Sequence, residues 1–160
     1  MARVKAKATT STSRCRRAAA PAPMRRPSTA LLPPALRAFK PNLVIVASGF
    51  DASGFDPLGR MMLNSECFRR LAARMVALAA ETSNGRLMMS HEGGYSEGYV
   101  PFCGHAVIET LANHRTEVVD PLSDHIDEWA GQDLQPHQAA VIDAAEALLA
   151  GLRQRLASAA

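Results

Sequence analysis

The sequence predicts an α/β fold built on parallel strands, and three observations carry that reading. The run "NLVIVA", residues 42–47, is continuously apolar and β-branched over the length of a strand, the pattern of a strand buried on both faces. After a loop rich in Gly, Asp and Pro comes a long helical repeat of apolar residues. A second short apolar run, "RLMMS", follows that helix at once. Strand, loop, helix, tight turn and strand make a βαβ unit, whose strands run parallel with a right-handed crossover.

Taken in order, residues 1–38 are set apart by composition. They are Ala, Arg, Pro, Ser and Thr with few large apolar side chains, and "AAAPAPMRRPSTALLPPALR" has prolines too frequent for a stable helix. This basic Ala/Pro/Arg leader is predicted to be disordered, a solvated tail outside the fold. Organelle transit peptides and basic nucleic-acid-binding arms share such a composition, so both are weighed against the plain tail. Residues 39–160 then form the folded part.

Within that part, "GFDASGFDPLGR" breaks the first strand with glycine, aspartate and proline and reads as a loop. The helix "SECFRRLAARMVALAAETSNG" is predicted to start with Ser65 as N-cap, to bury Cys67, Phe68, Leu71, Met75, Leu78 and Ala79, and to stop at Asn84-Gly85. Beyond the second strand lies the loop "HEGGYSEGYVPFCG". Next, "GHAVIETLA" reads as a short helix and "HRTEVVDPL" as a return segment with a possible strand. The last element, "QPHQAAVIDAAEALLAGLRQRLA", is an amphipathic helix with Pro136 in its first turn, predicted to pack through Val141, Ile142, Ala145, Leu148, Leu149 and Leu152.

Charge and cysteine usage narrow the function classes. Ten of the 18 Lys/Arg and none of the 15 Asp/Glu fall in residues 1–40, so the pI near 9 describes the leader and the folded part is acidic. Nucleic-acid binding inferred from pI would misread that part. Cys15, Cys67 and Cys103 are widely spaced, without a C-x-x-C pair, which suggests neither a disulfide framework nor a cysteine-zinc site and fits a reducing, cytoplasmic setting. No apolar run approaches the roughly 20 residues that span a bilayer.

Parallel strands present their carboxyl ends on one edge, where open α/β folds bind ligands. The loop carrying Asp51 and Asp56 and the loop carrying Tyr95 are therefore predicted to meet. An aspartate just past a strand end is aimed with little entropy left to lose, which suits a metal ligand or catalytic group. Asp51 is balanced between that role and a turn cap, whereas Asp56, followed by Pro57, favours the turn. An EF-hand fails because its glycine and twelfth-position glutamate are replaced by Asp56 and Met62. A phosphate loop fails because no Lys-Ser/Thr follows the glycines. Gly93 and Gly94 permit close backbone approach beside Tyr95, whose hydroxyl stays protonated at neutral pH and can donate to an oxyanion. Of the five histidines only His91 opens onto this loop, and there is no His-His pair, H-E-x-x-H or Asp-x-His.

Together, "PNLVIVASGFDASGFDPLGRMML" and "GRLMMSHEGGY" at this separation resemble the C-terminal part of the histone deacetylase and acetylpolyamine amidohydrolase superfamily, in its bacterial class II-like form. "EGYVPFCG" and "GQDLQPHQ" add to the likeness, which runs from about Phe39 to the C-terminal region. The resemblance implies a partial three-layer α/β/α parallel sheet of the arginase/deacetylase type. It implies zinc-dependent hydrolysis of an acetyl amide on lysine or a polyamine, with Asp51 binding Zn2+, Tyr95 polarising the substrate carbonyl, and Gly93 and Gly94 in the substrate loop. The family also draws zinc ligands from Asp-x-His and acid/base groups from His-His, neither of which occurs in this sequence. A truncated chain, inactive alone, is therefore expected. The competing expectations are a non-catalytic fragment that self-associates through an exposed sheet edge, or a basic-tailed nucleic-acid binder with steeply salt-dependent affinity.

Overall fold

The structure, a computed structural model, describes residues 30–59 and 61–158. Its elements are α1 (Leu32–Phe39), β1 (Val44–Ser48), α2 (Ser65–Thr82), β2 (Leu87–His91), α3 (Val100–Ala112), α4 (Ser123–Asp127) and α5 (Pro136–Ser158). β1 and β2 pair in parallel, with Val44 opposite Leu87 and Ser48 opposite His91. The predicted βαβ unit is thus formed. α2 packs chiefly against α3 and also contacts β2 and α1.

The core lies between the strand-end loops, α2 and α3, around Phe50, Leu63, Phe68, Tyr99, Cys103 and Ile126. Each large apolar side chain buried here contributes about 1.5–3 kcal/mol over its exposed state. The Phe50 ring meets Phe68 edge-on at a centroid distance of 5.2 Å. One face of the sheet meets this core through Met89, with Val44 buried on the same face, while Ile45 and its partner Met88 on the opposite face are 63% and 55% exposed. The sequence predicted burial on both faces. Among the described residues no layer covers the second face, which accounts for the difference.

α2 begins one residue earlier than predicted. Asn64, rather than Ser65, is the N-cap: its Oδ1 accepts from Cys67 N–H at 3.0 Å. Its Nδ2 also donates to Ser123 Oγ and Asp127 Oδ1, both at 3.0 Å, tying the start of α2 to α4. Ser65 instead uses its hydroxyl on Asp120 Oδ2 (2.6 Å). The helix stops where expected: Asn84 and Gly85 are left-handed (φ 57° and 78°), and Gly85 N–H returns to Ala79 O at 2.9 Å.

Helix α1 crosses the boundary expected at residue 38. Its prolines, Pro33 and Pro34, fall in the first turn, where a missing N–H breaks no helical bond, so their frequency does not oppose the helix. Arg37 pairs with Glu81 of α2. The rest of the predicted leader, residues 1–29, lies outside the described residues, as does Cys15. Cys67 and Cys103 are buried free thiols, and burial pushes Cys103 up to about 12.

Residues 114–122 form no strand, contrary to the expectation for "HRTEVVDPL". Their backbone is held by side chains instead of a ladder. The buried carboxylate of Glu109 accepts from Thr116 N–H and Thr116 Oγ1, both at 2.6 Å, and from Arg69 Nη2 at 2.5 Å. Val118 and Val119 are left exposed. α5 begins at Pro136 as predicted, but of its apolar stripe Ile142 is buried while Val141 and Leu148 are exposed. No described helix is long and apolar enough to cross a membrane.

Hydrogen bonds from Thr116, chiefly, hold the Glu109 carboxyl down to about 2 from an ordinary value of 4.5. A carboxyl lowered on folding stabilises the fold fully above its unfolded value, and that contribution disappears as pH falls. Acid unfolding followed by circular dichroism should therefore show a loss of stability between about pH 4.5 and 2 that is diminished in Glu109→Gln.

Candidate functional site

The site is assembled where β1 and β2 end. Past the last strand pair, Glu92 N–H donates to Ser48 O (3.3 Å) and Phe50 N–H to Gly93 O (2.6 Å), so the two loops stay joined beyond the sheet. This brings the predicted loops together on one edge. Phe50 turns its ring into the core, and the next side chain, Asp51, stays exposed.

The Asp51 carboxylate lies in a cradle of two glycines. A Cβ on Gly93 would sit 2.8 Å from its Oδ2, and one on Gly49 would sit 3.0 Å from its Oδ1. Gly59 crosses still closer, since a Cβ there would fall 1.5 Å from the Asp51 carbonyl oxygen. Gly49 and Gly59 were not singled out in the sequence. Glycines in a Gly/Pro loop read as turn formers, and nothing local signals a close approach by a segment eight residues away.

Asp56 behaves as its sequence context suggested, and does more. It is 6% exposed, and its Oδ1 accepts from Leu58 N–H (2.8 Å) and Gly59 N–H (2.7 Å), shaping the turn. Its Oδ2 accepts from Tyr95 N–H at 2.8 Å, across 39 residues of sequence. Burial raises the Asp56 carboxyl, but the bonds from Tyr95, Gly59 and Leu58 together outweigh it and hold the group below its ordinary value.

Tyr95 is 56% exposed and its ring is not part of the core cluster. Gly94 before it has φ 138°, and a Cβ there would lie 3.0 Å from both Phe50 Cβ and Val100 Cγ2. His91 ends β2 and rests its ring on Phe50, with centroids 5.0 Å apart. The second phenylalanine of the doubled Gly-Phe-Asp motif, Phe55, packs edge-on against Tyr99 and Trp129. The two phenylalanines thus anchor the loop from which both aspartates project.

Tyr99, which the sequence did not distinguish from other loop residues, is fully buried. Its hydroxyl accepts from Ser65 N–H (3.1 Å) and donates to Asp120 Oδ2 (2.7 Å); burial and that carboxylate drive its acidity far below that of an ordinary phenol. It is therefore a structural tie between α2 and residue 120. The described residues contain no cluster of three or more His, Cys, Asp or Glu able to hold a metal ion.

An α/β domain whose adjacent parallel strands end in a carboxylate loop and a glycine-tyrosine loop has the form of a strand-end binding or catalytic domain. Residues 3–111 match the histone deacetylase domain, and the chain belongs to the histone deacetylase family. The matched span begins inside the segment set apart as a leader and ends in the last turn of α3. The chain is 55% identical over 94 residues to a histone deacetylase-like amidohydrolase of Pseudomonas aeruginosa, an alignment covering 59% of this chain and 25% of that protein. It is 40% identical over 101 residues to histone deacetylase 8 of Arabidopsis thaliana, covering 62% and 27% respectively. Among solved structures it resembles the HDA15 HD domain (TM-score 0.65, 19% identity, 86% of this chain and 34% of that one). It also resembles the histone deacetylase Clr3 (TM-score 0.61, 20% identity, 81% and 19%). The fold is therefore of the arginase/deacetylase type, and the chain spans about a quarter of the length of the two curated relatives.

The two adjacent glycines should respond differently to alanine. At Gly94 both the positive φ and the contacts with Phe50 and Val100 oppose a Cβ, so Gly94→Ala should cost about 1–3 kcal/mol in denaturant unfolding. At Gly93 the contacts are all with the Asp51 side chain, its Oδ2 at 2.8 Å and Cγ at 3.1 Å, which can rotate aside. Gly93→Ala should therefore cost less than about 1 kcal/mol and show itself as a displaced carboxylate.

Proposed function

We propose that this chain supplies one metal ligand, Asp51, and the oxyanion donor, Tyr95, of a zinc-dependent amidohydrolase acting on acetyl-lysine or acetylpolyamine. The observation that carries this reading is the junction of the two strand-end loops, which sets the exposed Asp51 carboxylate beside the Gly93-Gly94-Tyr95 segment. A relative 55% identical over the aligned residues is named as an amidohydrolase, which supports the reaction class.

As a ligand Asp51 fits zinc: it is an exposed carboxylate whose oxygens lie beside Gly49 and Gly93, and among the described residues no cationic side chain pairs with it. The complete ligand set does not fit, because a catalytic zinc normally takes three protein ligands and the described residues offer no such cluster. Zinc held with ligands from elsewhere would act as a Lewis acid and acidify a bound water. This chain's own contribution is orientation and charge stabilisation. The Tyr95 hydroxyl can donate a hydrogen bond to the oxygen of a carbonyl under attack, where an oxyanion donor contributes about 10²–10³-fold in rate.

A polypeptide of this sequence alone is accordingly expected to bind zinc weakly, with what binding there is lost in Asp51→Ala, and to leave an acetyl-lysine peptide unhydrolysed. Mixed with a second polypeptide carrying the Asp-x-His and His-His part of a family member, it should give chelator-sensitive turnover that falls about 10²–10³-fold in Tyr95→Phe. Turnover by the isolated chain that chelation and Tyr95→Phe both abolish would overturn the requirement for a complement.

A second reading, a non-catalytic interaction fragment, is favoured by the exposed apolar sheet face at Ile45 and Met88. Parallel sheets are ordinarily covered on both faces, and an uncovered apolar face promotes association. Sedimentation velocity should then show concentration-dependent self-association that Ile45→Lys reduces. A monomer at all concentrations would remove this reading.

A further inference from the structure

We propose that Asp56 is a positioning residue for Tyr95, fixing the tyrosine's place through its main chain. The proposal rests on Tyr95 having the role argued above and adds how it is held there. Asp56 meets the needs of its own turn with one oxygen, since Oδ1 takes both Leu58 N–H and Gly59 N–H. An asparagine would cap that turn equally well. What an asparagine cannot also do is accept at the second position, because its NH2 only donates. The second oxygen is where Tyr95 N–H is bound, at 2.8 Å. A carboxylate at position 56, rather than any turn-capping side chain, is therefore required by the other loop.

The bond matters because the ring provides little anchorage. Tyr95 is more than half exposed and lies outside the core cluster, so packing does not set where its hydroxyl sits. Gly94, in a backbone conformation that other residues rarely adopt, aims the next N–H at Asp56. Asp56 itself is immobilised by burial and by its two turn bonds. The loop bearing Asp51 thereby grips the loop bearing Tyr95 at a second point, besides the Phe50–Gly93 bond.

Amide hydrogen exchange by NMR on the 15N-labelled chain tests this. In the unsubstituted chain the Tyr95 amide should be protected despite its exposed side chain; exchange at the unprotected rate would overturn the proposal whatever the variants do. In Asp56→Asn the Tyr95 amide should exchange at least about tenfold faster, the loss of one charge-assisted bond, while Leu58 and Gly59 keep their protection. Equal loosening of all three amides would mark Asp56 as a turn-former only, and no change at Tyr95 would also sink the idea. Asp51→Asn should leave the Tyr95 amide untouched. Because the tyrosine hydroxyl takes no part in this readout, failure of the oxyanion role, read from Tyr95→Phe in the complemented enzyme, stays separate from failure of the positioning role.

Discussion

The constraint on which the site depends is the close approach of two backbones just beyond the sheet. A parallel strand pair fixes its own residues but leaves the loops after it free to diverge. Here the 2.6 Å bond from Phe50 N–H to Gly93 O closes that freedom. Glycines leave the room this crossing uses: a Cβ at 59 would fall 1.5 Å from the Asp51 carbonyl oxygen, whereas one at 93 or 49 would press only on the Asp51 carboxylate. Phe50 makes the seam rigid by burying its ring against Phe68 while its N–H holds the neighbouring loop. One residue thus joins the core to the site, and Asp51, next in the chain, inherits its position.

The far end of the same loop is secured by different chemistry. Leu63 is fully buried and pairs with the loop through Gly54 N–H to Leu63 O (3.0 Å) and Leu63 N–H to Ala52 O (3.1 Å). Asn64 and Ser65 then tie the start of α2 to α4 and to Asp120. Tyr99 reaches the same carboxylate, so Tyr99, Asp120 and α4 all converge on the first turn of one helix. Buried polar networks of this sort are costly when partly satisfied and specific when complete. This one fixes where the loop bearing Asp51 and Asp56 must end.

The legible part of the sequence was what local pattern determines. The strand run, the period of α2, its Asn84-Gly85 stop and the Pro136 start all act within a few residues, and the strand-end rule converts them into one shared edge. What was not legible depended on distant partners. Asn64 displaced Ser65 as cap because Asp120 and Tyr99 engage Ser65 from elsewhere. Val118 and Val119 look like strand residues, but Glu109 and Thr116 hold that backbone in another course. Pro33 and Pro34 argued against a helix by frequency, whereas their place in the first turn is what decides. The crossing of Gly59 over Asp51 has no signal in the residues that flank either one.

The doubled Gly-Phe-Asp motif shows how one repeated triplet yields two chemistries. In both copies the phenylalanine packs inward, one against Phe68 and the other against Tyr99 and Trp129. The aspartates part because their downstream neighbours differ. After Asp56, Pro57 opens a turn that folds Leu58 and Gly59 N–H back onto the carboxylate, and three donors together with burial take up most of its acceptor capacity. After Asp51 the chain turns as well, with Ser53 N–H on Phe50 O (3.0 Å), but among the described residues no N–H folds back onto the carboxylate, which stays exposed between glycines. A buried carboxylate occupied by three backbone donors has little left to offer a metal ion, whereas one exposed and aimed by its backbone retains its lone pairs. That difference supports the roles proposed for them, Asp51 as ligand and Asp56 as positioning residue. The bond from the second to Tyr95 makes the holding serve the same edge on which the first one stands.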